Sequence, residues 1–461
     1  MGADVAHYRS ELSRIIAGRR WLVATDVLVG AVRHANELLA LGACDVFALG
    51  GTRGTGDIDV SYAAVALGVA GAADMMEGIR AGEAALEALP PEVQARIDAF
   101  DPEHEARVLG TLFASDRPVA GRLKWGARPD RWAALEDKMR VDALWDRAGV
   151  TRAPSAVVTV ADAPAAHARL DAGRGTVWVA DNRTGWHGGA QYLRWVRNAA
   201  SMPEATRVLG AVADRVRVMP FLEGIPCSIH GAVFPGGETI AFRPCELMVL
   251  RRPGSGELAY AAASTYWLPR ESDAEVMREV ARRVGAYLRD AHGYRGTFTV
   301  DGVMTREGFL PTELNPRYGA ALGQLAAGEP ELPLYVLHLA LTAGEELEYR
   351  PGELERLVVE ASLAQPAGRA HRLVPGPLPA REGGLVFEGT TPRFAGEGEE
   401  PALTVRVGPA ASGSIIMLFS RPGALPLGPP LAPRIAAAFA FLDREWSLGV
   451  GRLEAAPDVR G

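Results

Sequence analysis

The residues best suited to chemistry lie in one stretch, GYRGTFTVDGVMTREGFLPTELNPRYGAAL, residues 293–322. It reads as a hairpin: 297–303 and 309–315 are strand-like runs joined across Arg306-Glu307-Gly308. Side chains two apart on a strand face the same way, so Glu313 and Asn315 point to one side. Asp301 sits on the preceding antiparallel strand, and the short turn places it roughly opposite. Two carboxylates and an amide oxygen on one face form a hard-oxygen site. That suits magnesium, which is held by one or two carboxylates plus substrate phosphates. Arg317, two residues on, can meet a phosphate or carboxylate bidentately. Taken alone, Glu-x-Asn also suits an ordinary surface hairpin, so the order of the remaining elements has to decide.

Those elements are numerous enough for several packed units, since the chain has 461 residues. With 48% hydrophobic and 23% charged residues it is globular rather than disordered. The formal net charge of −7 leaves no electrostatic footprint for nucleic acid. Three cysteines (Cys44, Cys227, Cys245) build no disulfide scaffold and show no zinc spacing. Cys227 and Cys245 lack an adjacent histidine and suit buried apolar positions. The opening MGADVAHYRS has no apolar signal core. The longest uncharged apolar run, 60–73, is shorter than the roughly 20 residues of a membrane helix and is expected to be buried. A cytoplasmic, membrane-free protein is the expectation.

Residues 1–125 alternate strand, helix and strand: 21–24 and 45–49 are apolar runs flanking a helical spacing over 30–41, a parallel α/β arrangement. The glycine-rich loop 50–56 follows. It fits neither GxGxxG nor a phosphate-binding P-loop, so a tight surface turn is expected and an oxidoreductase using it ranks last. A helix is expected over 135–148, and βαβ-like alternation over about 150–220. A long helix follows, opened by a Ser272–Glu275 capping box, carrying Val276, Val280, Val284 and Leu288, and closed before Gly293. Beyond residue 350, short strand-like runs and a last helix, 434–446, predict a β-rich unit.

In this order the hairpin resembles the metal-binding strand pair of the ATP-grasp superfamily, to which D-alanine–D-alanine ligase and biotin carboxylase belong. The resemblance covers about 137–322. It implies an α/β (α+β) architecture: an N-terminal α/β domain (1–125), a split ATP-grasp core (126–350, with a small lid at about 150–220) and a β-rich C-terminal domain (351–461). By resemblance Asp301, Glu313 and Asn315 would hold magnesium, with manganese as an alternative. Lys138, in Glu136-Asp137-Lys138 opening a helix, resembles the first ATP lysine. The string 218–224 (VMPFLEG) resembles the hinge that seats adenine, with Phe221 and Leu222 packing and Glu223 reaching a ribose hydroxyl. Gly185-Trp186-His187-Gly188-Gly189 falls where the family has its triphosphate flap, with Gly188 and Gly189 closest to phosphate.

The chain also departs from the pattern. The strand before the flap, Val177-Trp178-Val179-Ala180-Asp181, lacks the second ATP lysine, and Arg183 is the nearest cation to replace it. After the hinge, His230 stands where an acidic residue is common and would face nucleotide or substrate. In 242–253 Arg243 is preferred as the cation on the transferred phosphoryl group, with Arg251 next and Glu246 as a substrate contact. Arg317 and Arg243 would then carry catalysis. The resemblance implies ATP-dependent joining of a small-molecule carboxylate to an amine, such as an amino acid or peptide, with release of ADP and phosphate; a homodimer is compatible. Two alternatives stay open. One is a carboxylase-type reaction on bicarbonate, although no biotin-carrier segment is evident. The other is a non-catalytic nucleotide-binding protein, against which the complete metal set argues.

Overall fold

The computed structural model describes residues 2–56, 58–110, 116–183 and 187–460. Its first sheet is parallel, in the order Ala63–Ala66, Asp45–Thr52, Arg20–Val27, Arg107–Leu109, Lys124–Trp125. The apolar runs 21–24 and 46–49 are its buried centre, and helix Leu28–Ala40 connects the two strands. Strand order reverses beside Arg20–Val27, which opens a crevice at the carboxyl ends of the strands. Two expectations fail here. The run 60–73 is not buried: Ala63–Ala66 is the edge strand, half-exposed because it has a partner on one side only. Gly50 and Gly51 end a strand rather than forming a surface turn. A Cβ on Gly50 would lie 2.3 Å from the Leu28 backbone nitrogen, so only glycine here leaves room for helix Leu28–Ala40 to start off the neighbouring strand.

The expected helix over 135–148 is interrupted. A 3₁₀ turn, Ala134–Glu136, is followed by helix Val141–Arg147. Between them the Asp137 carboxylate accepts from the Met139 amide at 2.9 Å, a local alternative to helical bonding. Lys138 therefore projects from a turn. The segment 150–220 also differs from the expected βαβ pattern. Its sheet is antiparallel, in the order Ala156–Thr159, Arg215–Pro220, Thr176–Ala180, Leu193–Val196. The two-residue period divides its side chains. Trp178, Val216 and Val218 pack under helices Ala163–Leu170 and Met202–Gly210, while Val177, Val179, Met219 and Phe221 form the other face.

The central sheet is antiparallel: Leu258–Ser264, Cys245–Arg251, Ile225–Val233, Gly296–Thr305, Gly308–Asn315, with Thr239–Ala241 paired beside Ile225–Val233. Helix Glu271–His292 covers it through Met277, Ala281, Val284 and Leu288. No side-chain cap forms at its start. Glu275 pairs with Arg282 at 2.9 Å instead of closing a capping box with Ser272, and Val276 is exposed. Gly293, left-handed at φ 58°, ends the helix as expected. The C-terminal part is β-rich as read: Arg369–Val374, Gly413–Ser420, Leu403–Ala410, Arg381–Glu388, Thr391–Phe394, covered by helix Ala432–Trp446 through Ile435, Phe439 and Leu442. It joins the central sheet through a bridge between Ser264 and Gly368. Among the described residues no helix is long and apolar enough to cross a membrane.

Candidate active site

The hairpin Gly296–Thr305 and Gly308–Asn315 pairs Thr305 with Gly308, Met304 with Phe309 and Gly302 with Pro311. Continued without interruption, that register would set Asp301 against Thr312 and turn Glu313 to the other face. A bulge at Thr312 prevents this, so that Asp301 faces Glu313 and Thr299 faces Asn315. Pro311 has no amide to donate and sits at the irregularity. The bulge thus brings both carboxylates and the amide together, as the expected site requires. The Asn315 amide donates to Asp301 Oδ2 at 2.8 Å. Asp301 Oδ1 is buried and has no hydrogen-bond partner among the described residues. Burial, then the neighbouring Glu313 charge, push the Asp301 carboxyl up from its ordinary value.

Cations surround this face. Lys138 Nζ lies 3.0 Å from Glu313 Oε1. Arg317 Nε donates to Glu136 Oε1 at 2.9 Å and its Nη2 to Asn315 Oδ1 at 3.0 Å, and Arg128 donates to the same Glu136 oxygen. On the neighbouring strand, His230 pairs in register with Thr299; its Nδ1 lies 2.7 Å from Thr299 Oγ1 and its Nε2 3.3 Å from Ser228 Oγ. Burial and the Arg317 charge hold His230 down at about 3, so the imidazole is neutral. A Cβ on Gly319 would come within 2.3 Å of Thr299 Oγ1 and 2.5 Å of the His230 ring. That position therefore has to be glycine for the loop to close over the histidine.

All of these except Ser228, Glu136 and Arg128 line a cavity of about 650 Å³ between the central sheet and the small antiparallel sheet. Its roof is the apolar face Val177, Val179, Met219 and Phe221, with Leu222 beside it. At the hinge the Phe221 and Trp195 rings stack, with centroids 3.8 Å apart and planes 14° from parallel. Arg251 lies over the Phe221 ring at 5.1 Å and pairs with Glu223, which Arg174 also holds. Gly188, Gly189 and His187 line the cavity; Gly185 and Trp186 of the same string lie outside the described residues. Burial, then the nearby Lys138 charge, lower His187.

Four expected site residues do not line the cavity, and Glu223, held by Arg174 and Arg251, is the first of them. Arg183 does not line the cavity; it points outward to Asp214 at 3.4 Å and to the Ala211 carbonyl. Arg243 is buried behind the sheet, where it donates to Ser362 Oγ at 3.1 Å and to the Thr265 carbonyl. Glu246 stands on the opposite face of its strand from Leu247, Val249 and Arg251, which line the cavity. Its carboxylate accepts from the Leu431 and Ala432 amides at 2.6 and 3.0 Å, at the start of the last helix, where negative charge is favourable.

The sequence reading missed other lining residues. Arg217 faces the cavity opposite Val179 and is bound by Asp142, with Nη2 to Oδ1 at 2.7 Å. The alternation in Arg215-Val216-Arg217-Val218 was its signal. Asp26, at the carboxyl end of the first strand, and Tyr260, Arg369 and His371 also line the cavity. They come from distant segments that no local pattern connects.

No protein-family model matches the chain, and a search of curated proteins finds no match. Solved structures do resemble it along nearly its whole length. An N5-carboxyaminoimidazole ribonucleotide synthetase in complex with ADP superposes with a TM-score of 0.52 at 12% identity, covering 94% of this chain and 98% of that one. The biotin carboxylase domain of Hydrogenobacter thermophilus 2-oxoglutarate carboxylase, with MgADP and bicarbonate, gives 0.53 at 13% identity, covering 95% and 91%. An L-amino acid ligase from Bacillus licheniformis gives 0.51 at 14% identity, covering 95% and 98%. At these identities the likeness is one of fold.

Proposed function

We propose, from the premise that this chain has the ATP-grasp fold, that it binds ATP in the 650 Å³ cavity and uses it to join a carboxylate to an amine. The observation that carries this reading is the face formed by Asp301, Glu313 and Asn315, with one buried Asp301 oxygen left without a partner among the described residues. An orphaned carboxylate oxygen beside a second carboxylate and an amide oxygen fits a hard divalent cation. Magnesium held by these residues would neutralise phosphate oxygens as charge shifts between them.

In this reading Phe221, backed by Trp195, and Leu222 form the apolar seat of the adenine, and Glu223, beside the cavity, would have to leave Arg174 or Arg251 to reach a ribose hydroxyl. Gly188 and Gly189 admit the triphosphate closely because neither has a side chain. Lys138 exchanges Glu313 for a phosphate oxygen. Arg217 takes the place of the absent second lysine, since it is the cation that the roof sheet turns into the cavity. A carboxylate oxygen of the first substrate attacks the γ-phosphorus, and the bond to the ADP oxygen breaks. The amine then attacks the acyl carbon, phosphate leaves, and the amine loses a proton. Arg317, held by Glu136 and Asn315, would meet the transferred phosphoryl group. Its own hydrogen bonds fix its orientation before substrate arrives, which favours positioning over reorganisation.

The test is magnesium-dependent release of ADP and phosphate from ATP with pooled amino acids and small carboxylates. Stimulation by a pool is expected, and subdividing the pool names the substrates. ATP binding with no release under any pool, bicarbonate included, would overturn the ligase reading. A second reading, in which bicarbonate is the activated carboxylate, is supported by the likeness to the carboxylase domain that binds MgADP and bicarbonate. Stimulation by bicarbonate alone would select it.

A further inference from the structure

The lysine and arginines lining the cavity are Lys138, Arg217, Arg251, Arg317 and Arg369. The first four each pair with a carboxylate: Glu313, Asp142, Glu223 and Glu136. Arg369 is solvent-exposed, and its side chain has no hydrogen bond or ion pair with any described residue. Desolvation, then the nearby charge of Arg33, disfavour its charge, with Tyr318 acting the other way. A guanidinium open to solvent on a cavity wall, with no carboxylate of its own, can take an anion that the protein does not itself supply.

Its strand shows what body that anion would carry. Arg369 pairs in register with Phe419, and His371 with Met417. Directly opposed residues share a face, and all four line the cavity. The C-terminal sheet thus offers the cavity an apolar floor with one cation at its edge. The His371 ring meets Tyr260 edge-on at 6.1 Å. Tyr260 in turn lies within electrostatic reach of Asp301, Glu313 and Arg317. One surface therefore runs from the metal-binding face to Arg369.

We propose that this surface is the subsite for a substrate amino acid, whose non-reacting carboxylate is bound by Arg369 and whose apolar side chain lies on Met417 and Phe419. This deepens the ligase reading and rests on it. A single guanidinium beside an imidazole and two apolar side chains matches a monoanion with a hydrophobic body better than a phosphate dianion.

The experiment measures binding apart from turnover. Thermal stabilisation of the full chain is recorded with a non-hydrolysable ATP analogue and magnesium, for each of the twenty amino acids, their carboxamides and ribose 5-phosphate. Stabilisation by at least one apolar amino acid is expected, at least about tenfold weaker binding of its carboxamide, and the same loss for the free acid in Arg369→Gln. Arg369→Lys should recover part of it. Both variants should bind the ATP analogue as the wild type does, which also shows that they fold. Equal binding of acid and amide, no change in Arg369→Gln, no amino acid bound at all, or stabilisation by ribose 5-phosphate alone would each overturn the subsite. ADP release is then measured separately: Arg369-dependent binding without release would overturn the ligase reading and leave the subsite standing.

Discussion

Lys138 Nζ stands 3.0 Å from Glu313 Oε1, joining a turn that precedes the small sheet to the last strand of the central sheet. The ion pair spans 175 residues of sequence. Both residues line the cavity, and the pair holds the cation against a carboxylate that the proposed mechanism needs for metal.

Glu313→Gln should therefore remove magnesium-dependent ADP release by at least about 100-fold, in the range seen when one charge-stabilising group is lost. Circular dichroism should be unchanged, because Glu313 is partly exposed and its loss opens no core cavity. Turnover within about twofold of wild type would remove the metal assignment.

Lys138→Ala tests the other half of the pair. A charge-assisted hydrogen bond is worth about 1.5–3 kcal/mol, so the KM for ATP should rise about tenfold or more. Unchanged ATP affinity would mean that Lys138 serves only to neutralise Glu313.

Arg217 is buried and bound to Asp142, so its structural and nucleotide roles must be separated. Arg217→Met alone leaves the Asp142 carboxylate with Ser155 and Arg152 as its partners and should cost about 1.5–3 kcal/mol, the worth of a charge-assisted hydrogen bond. Adding Asp142→Asn should return most of that stability in urea unfolding. If Arg217 replaces the absent lysine, ATP affinity stays low in the double variant; recovery of both would show a purely structural pair.

Gly319→Ala places a methyl group against the His230 ring and Thr299 Oγ1. Overpacking of this kind costs about 1–3 kcal/mol. The ring should move toward water, and its titration, read by NMR, should rise from about 3 toward the ordinary histidine range. A variant of wild-type stability with His230 still untitrated at pH 5 would contradict the close approach.

Glu246 gives the pH dependence of stability a sign. Burial raises its carboxyl to about 7, against the two backbone amides that lower it. Between the ordinary carboxylate value and about 7 the folded chain binds a proton that the unfolded chain has released. Its stabilising contribution is thus present at low pH and lost as pH rises through about 7. Glu246→Gln should flatten the fall of Tm between pH 5 and 8. An unchanged slope would mean that another group sets it.

The hairpin, the cavity-lining run 219–222, Gly188 and Gly189, and the β-rich last part were legible because each is a local pattern: alternation, a turn, a spacing. The interrupted helix around Lys138 was not, since the Asp137 bond that breaks it competes on nearly equal terms with helical bonding. Arg183 was expected there as the nearest cation in sequence and Arg243 by resemblance, and the fold sends both away from the cavity. Arg217 and Arg369 are in it because strand parity turns them inward.

Residue types and their order along the chain therefore determined that two carboxylates, an amide and an arginine would share a short hairpin. Whether they met was decided by one bulge. Side chains alternate with period two, so a single extra residue at Thr312 moves Glu313 and Asn315 onto the face of Asp301. The packing of strands from distant segments then settled which cations surround them, because hydrogen-bond register between strands is a property of the assembled sheet and not of any one segment.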